Sequence, residues 1–189
     1  MATITRPAAL FGGLLTALAL ATAASAMTNS AVASEGPSGY RSADFGMSSE
    51  AVLERLEQDQ VVNVSVQETD DNDVIIDGEL QAEDQPVTDL RYVFPAGRDQ
   101  LALVVAFHPH VEDYASVKAE LEERYGKPWE EEMAEWWFEQ LKDGMPEEPG
   151  SLTVWGGDGS EGRERGRFVR LWSFEDYLSV EYLDTQMFR

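Results

Sequence analysis

Leu101-Ala102-Leu103-Val104-Val105-Ala106-Phe107-His108 is the stretch on which the fold turns. Side chains alternate across a strand, so Leu101, Leu103, Val105 and Phe107 share one face and Ala102, Val104 and Ala106 the other. Both faces are apolar, and a strand of that kind has to be covered on both. The segment 100–108 is therefore expected in the middle of a sheet, with a neighbour on each side.

The flanking segments read as those neighbours. In 61–67, Val62, Val64 and Val66 alternate with Asn63 and Ser65. A polar turn at Asp70 to Asp73 leads into 74–80, which continues through Val74, Ile75 and Ile76. In 87–94, Leu90, Tyr92 and Phe94 share a face, and Pro95-Ala96-Gly97-Arg98-Asp99 makes the turn into the central strand. Three more strands are predicted at 151–156, 167–174 and 177–184. The last two fix their own register. With Glu175-Asp176 as a two-residue loop, Leu171 opposes Val180, Val169 opposes Tyr182, and Arg170 meets Glu181 as an opposite-charge pair.

Helices fill the gaps. Ser48-Ser49-Glu50-Ala51-Val52 offers a serine cap with an acid in the first turn, and Val52, Leu53 and Leu56 form the apolar stripe. A second helix is predicted over about 113–125, with Val117, Leu121 and Tyr125 at helical spacing and Gly126 and Pro128 as its stop. A third spans 129–142. The result is an α+β fold, an antiparallel sheet with short helices packed on one face. Val52 with Leu56 and Val117 with Leu121 repeat one i, i+4 pattern ahead of a run of strands, as a duplicated helix-plus-sheet unit would.

The N-terminus has the three parts of a secretory signal: Arg6, an apolar run from Ala8 to about Leu20, and Ala24-Ser25-Ala26 for the peptidase. Cleavage is expected after Ala26. Gly12, Gly13, Thr16 and Thr22 dilute the run below the roughly 20 strongly apolar residues of a spanning helix. The organisation read from this is 1–26 signal peptide, 27–43 flexible leader and 44–189 a single α+β domain, periplasmic or secreted by a bacterium, with no transmembrane segment after cleavage. The chain has no cysteine, so neither disulfides nor a lipidated cysteine are available to it.

Charge narrows the partners. Fourteen Lys and Arg face 36 Asp and Glu, a net −22. Such a surface suits high salt, where screening shortens to about 3 Å at 1 M, and a halophilic source is the expectation. Nucleic acid is excluded as a partner, because phosphate binding needs clustered cations.

Two short motifs carry a likeness. Phe45-Gly46-Met47-Ser48-Ser49-Glu50-Ala51-Val52 resembles the helix start of the small outer-membrane-assembly lipoproteins of the SmpA/OmlA type, which belong with the β-lactamase-inhibitor-like folds. Leu121-Glu122-Glu123-Arg124-Tyr125-Gly126-Lys127-Pro128 is similar to an element of uncharacterised bacterial envelope proteins of the same layout. The resemblance implies helix-on-sheet packing and an envelope location. It carries over no partner.

Candidate sites are few. In an extended chain His108, His110 and Glu112 point the same way and could meet a Zn²⁺-like ion. The acidic turn Glu68 to Asp73 fails as a calcium loop, since its third ligand falls on Val74 or Ile75. Gly156-Gly157-Asp158-Gly159-Ser160-Glu161-Gly162 joins strands, lacks a Gly-Lys-Ser/Thr and carries acids, so it reads as a surface loop and not a phosphate cradle. Arg163, Arg165, Arg167 and Arg170 are expected to pair with the protein's own carboxylates. No cofactor motif is present.

The segment Trp129 to Leu141 stands apart. As a helix it places Trp129, Met133, Trp136 or Trp137, and Leu141 on one side, while Trp136, Trp137 and Phe138 fan over about 200°. One core face cannot hide all three. Burial on two sides is the reading adopted; the competing ones are a strand in place of the helix, or an aromatic left exposed for a partner or a sugar ring. The function expected is a non-enzymatic protein-interaction module, with another envelope protein as its partner through Trp136, Trp137 and Phe138. The alternative is a metal-binding protein or metal-dependent hydrolase using His108 and His110.

Overall fold

The computed structural model describes residues 36–81, 86–157 and 166–188. The segment 1–26 expected to be a signal peptide, residues 27–35 of the expected leader, the loop acids and glycines from Asp158 to Gly162, and Arg163 and Arg165 lie outside the described residues. No helix among the described residues is long and apolar enough to cross a membrane.

Seven strands form one antiparallel sheet in the order β3-β4-β5-β6-β9-β8-β7. They are β3 (Val62–Glu68), β4 (Val74–Leu80), β5 (Thr88–Phe94), β6 (Leu103–His108), β7 (Ser151–Gly156), β8 (Arg167–Ser173) and β9 (Leu178–Asp184). The apolar strand sits in the middle, as its two-sided pattern requires. One α-helix precedes the first meander and two precede the second; each meander runs from an outer edge inward, and the two join through their last strands, β6 against β9. The terminal hairpin keeps the register set by its charges: Leu171 opposes Val180, Val169 opposes Tyr182 and Arg170 opposes Glu181.

The sheet has two unlike faces, and the pairing register shows how they arise. Val66, Ile76, Tyr92, Val104, Tyr182, Val169 and Trp155 form one row across all seven strands. Helices α1 (Ser49–Gln58) and α2 (Tyr114–Tyr125) roof this core face with Val52, Leu56, Val117 and Leu121. One residue along each strand lies the next row, Ser65, Asp77, Arg91, Val105, Glu181, Arg170 and Val154, on the opposite face. It is largely polar and ionic.

Helix α3 (Glu131–Leu141) departs from the one-sided packing expected of the helices. It lies against the second face, over Leu152, Val154, Trp172 and Phe174, and builds a separate cluster there. The reason is visible in β7 and β8, whose alternate residues are apolar on both sides: Trp155 and Val169 face α2, Leu152 and Trp172 face α3.

The two resembling motifs have local jobs. Ser48 caps α1 by accepting from the Ala51 N–H at 3.3 Å. Gly46, at φ 86°, lets Phe45 turn into the core while its own N–H donates to the Leu101 carbonyl. Leu101 N–H returns a bond to the Met47 carbonyl, so this motif splices α1 to the mouth of β6. Gly126, at φ 77°, ends α2 and offers its carbonyl to the buried Trp155 indole at 3.1 Å.

The boundary of the domain moves upstream of the expected one. Residues 39–44, assigned to the leader as far as 43, form the small antiparallel pair β1 (Gly39–Tyr40) and β2 (Ala43–Asp44). Ala43 is buried, and the Tyr40 ring sits 4.9 Å from that of Tyr182. Asp59 ties the turn down by accepting from the N–H and hydroxyl of Ser42. The segment's small polar composition hid these contacts.

Candidate functional site

The aromatic segment is fastened at its start. Trp129 N–H donates to the Val154 carbonyl at 2.8 Å, and its indole Nε1 donates to the Gly156 carbonyl at 2.9 Å. Glu131 and Glu132 then occupy the first turn of α3, where the helix dipole favours acids. Ala134, Trp137, Phe138 and Leu141 turn toward the sheet. Trp129 meets Phe168 edge-on with centroids 5.7 Å apart, and Phe138 meets Trp172 at 6.1 Å. These contacts hold the helix without filling all the space beneath it. A crevice of ≈ 40 Å³ remains between Trp129, Trp137, Leu152, Phe168 and Leu183, room for water and no more.

Beneath α3 lies the buried part of the ionic row. Arg170 Nε stands 2.7 Å from Glu181 Oε2, and Trp172 Nε1 donates to the same oxygen at 2.8 Å. The Arg170 Nε–H is not aligned on the carboxylate, so the pair is ionic contact more than hydrogen bond. Arg167 likewise pairs with Asp184 at 3.0 Å. Two of the four clustered arginines are thus committed to the protein's own carboxylates.

The helix hides two of its three consecutive aromatics. Trp137 and Phe138 are half-buried, whereas Trp136 is 59% exposed and Met133 52% exposed. The expected stripe of Trp129, Met133 and Leu141 therefore differs in one member. The helix is rotated so that Ala134 meets the sheet and Met133 stands outside, because Ala134, Trp137, Phe138 and Leu141 fall on one face at i, i+3, i+4 and i+7. Trp136 packs edge-on against Trp137 at 5.5 Å and is otherwise in water. Around it are Glu130, Glu132, Glu135 and Glu139. Lys127 neutralises Glu130 and Lys142 neutralises Glu139, and among the described residues no cation pairs with Glu132 or Glu135. Met133 as a member of this surface was missed in the sequence; its i, i+3 spacing from Trp136 was the available signal.

The histidine cluster is not assembled. His108 ends β6 on the core face, half-buried, and burial pushes its pKa down against the pull of Glu120 and Asp113. His110 is exposed, and the chain coils into a short 3₁₀ turn at Val111–Asp113 before Glu112 could join it. Among the described residues no three His, Asp or Glu side chains lie close enough to share an ion. The turn at Thr69 to Asp73 closes on itself through Thr69 N–H to the Asp73 carbonyl, with Asp73 holding the Ala96 N–H.

The chain was compared with protein-family models, curated proteins and solved structures, and matches none of them.

Proposed function

We propose that this chain is an exported, non-enzymatic interaction module of a bacterial envelope, and that the outward side of α3 holds a basic partner. One observation carries the reading: Trp136 and Met133 stand in water on a helix whose other aromatics are spent on fixing it to the sheet. Two large apolar side chains exposed side by side on one helix face form a surface that a partner can cover. Glu132 and Glu135, without counter-ions beside it, select for Lys or Arg on the covering surface. In a salty medium only charges in contact keep their attraction, so the two apolar side chains supply the salt-resistant share.

The compartment rests on the sequence, on Arg6, the Ala8-to-Leu20 run and Ala24-Ser25-Ala26, with the Phe45-to-Val52 likeness to envelope lipoproteins beside it. The non-enzymatic character rests on the lack of cysteine and of any phosphate-loop or nucleophile spacing. The test is capture from envelope extract with immobilised wild type and Trp136→Ala. A basic partner retained by the first and lost by the second supports the reading, and equal recovery by both ends it.

A further inference from the structure

Beside α3 the sheet has an unused length of edge. Trp129 N–H reaches the Val154 carbonyl, so the main chain of Val154 faces away from β8. Strand alternation turns Leu152 and Gly156 the same way. Gly156 gives its carbonyl to the Trp129 indole. Trp129 thus already stands where one residue of an eighth strand would be. Leu152 has no such visitor: nothing among the described residues bonds its outward N–H or carbonyl.

That stretch opens on a trench of ≈ 570 Å³ between α2 and α3. Tyr114 and Lys118 form one wall, and Glu131, Glu135 and Phe138 the other. The Tyr114 hydroxyl is held at 2.7 Å by Thr153, and Lys118 leans on Glu122 at 3.9 Å. Glu131 and Glu135 have no cation partner among the described residues.

We propose that this trench receives a short, extended, basic segment of the partner protein, which pairs with β7 at Leu152 and sets Lys or Arg against Glu131 and Glu135. The inference rests on the reading that a partner docks at the α3 corner, and it names the mode of recognition there. Main-chain bonding to an open edge fixes the backbone, while alternate side chains choose the sequence. Charge selects the occupant. A second copy of this chain would bring its own net −22 against these glutamates, and an acidic segment would be repelled. At about 3.3 Å per residue, the edge from Gly150 to Thr153 takes three or four residues before Trp129 blocks it.

The experiment uses the full chain, labelled with ¹⁵N, and capped peptides alternating Lys and Val. Two further versions are N-methylated, one on the Lys amides and one on the Val amides, and a fourth replaces Lys by Glu. The Lys–Val peptide is expected to shift the Leu152 amide and slow its exchange. One of the methylated versions loses binding, because only one set of amides can face the edge. The glutamate version does not bind. Glu131→Lys/Glu135→Lys, both at exposed positions, weakens binding roughly ten-fold, the sum of two surface pairs.

Equal binding by all peptides, or by both methylated versions, overturns the proposal, as does binding with the Leu152 amide unmoved. If the shifts are confined to Met133 and Trp136, strand addition is wrong while the outward side of α3 keeps its role. If the Leu152 response persists and Trp136→Ala captures the partner normally, the outward-face reading is the one that fails.

Discussion

The two faces of the sheet are one residue apart along every strand, and they are held by different physics. The core face carries an unbroken apolar row from Ile76 to Trp155, roofed by two helices whose buried residues, Val52, Leu56, Val117 and Leu121, merge into one cluster. The other face carries Asp77, Arg91, Glu181 and Arg170 along its middle row, with α3 covering only the corner at β7 and β8. On the first face stability is a matter of packed area. On the second it depends on pairing charges, of which Arg170 and Glu181 have lost most of their water, and the helix beside them is secured by four aromatic contacts. The lesson is that a face spared from the main core is free to spend its aromatics outward.

The contrast is broken most severely at Trp155, fully buried on the core face with its indole satisfied by Gly126. Trp155→Ala is expected to cost about 3–5 kcal/mol in denaturant unfolding, as for other large core truncations. The same change at the half-buried Trp137 should free α3 alone. Amide exchange would show α3 opening while the sheet keeps its protection, and a global loss equal to that of Trp155→Ala would mean the two clusters are one.

Next in size is the buried ion pair. Arg170→Leu leaves Glu181 beneath α3 without its cation and should cost about 3 kcal/mol or more. Arg170→Leu with Glu181→Met should recover much of that, but not all, since the Trp172 indole then loses its acceptor at a cost of about 1–3 kcal/mol. A double mutant as unstable as the single one would show that volume, and not charge, governs this site.

What was legible in the sequence follows the same division. The central strand, the order of elements and the register of the last hairpin were readable because alternation and opposite charge act along the chain itself. Gly126 marked the end of α2 through a backbone demand that few other residues meet. The side taken by α3 was not readable. Leu152, Val154, Trp155, Val169 and Trp172 make β7 and β8 apolar on both faces, so their pattern permits a helix on either. Nor was the rotation of α3, which brings Ala134 against the sheet, a contact between residues distant in sequence. The leader's end was misplaced because Tyr40 and Ala43 are anchored by Tyr182 and β1–β2 pairing, and not by any local signal. At the candidate site, Trp136 could be named but not distinguished from Trp137 and Phe138.

A smaller effect separates the faces by pH. His108 ends β6 on the core face, where burial holds its pKa below the ordinary value near 6.5. The unfolded chain therefore takes up this proton first as pH falls. Stability from a neutral His108 is complete above about pH 6.5 and is lost as pH drops through the lower folded-state value. His108→Gln should flatten that part of the stability curve, and an NMR titration should place His108 below its ordinary value. A His108 that titrates at or above the ordinary value would show that Glu120 and Asp113 outweigh its burial.

The smallest expected effect is the most informative about function. Trp136→Ala removes a side chain already 59% exposed, whose main protein contact is the edge of Trp137. Its unfolding free energy should change by no more than about 0.5 kcal/mol, the usual range for surface substitutions. An aromatic that adds little stability and stands beside Glu132 and Glu135 is the kind of side chain the proposed partner would cover. If Trp136→Ala instead costs as much as Trp137→Ala, the ring is a working part of the α3 cluster, and the case for an outward binding face loses its footing.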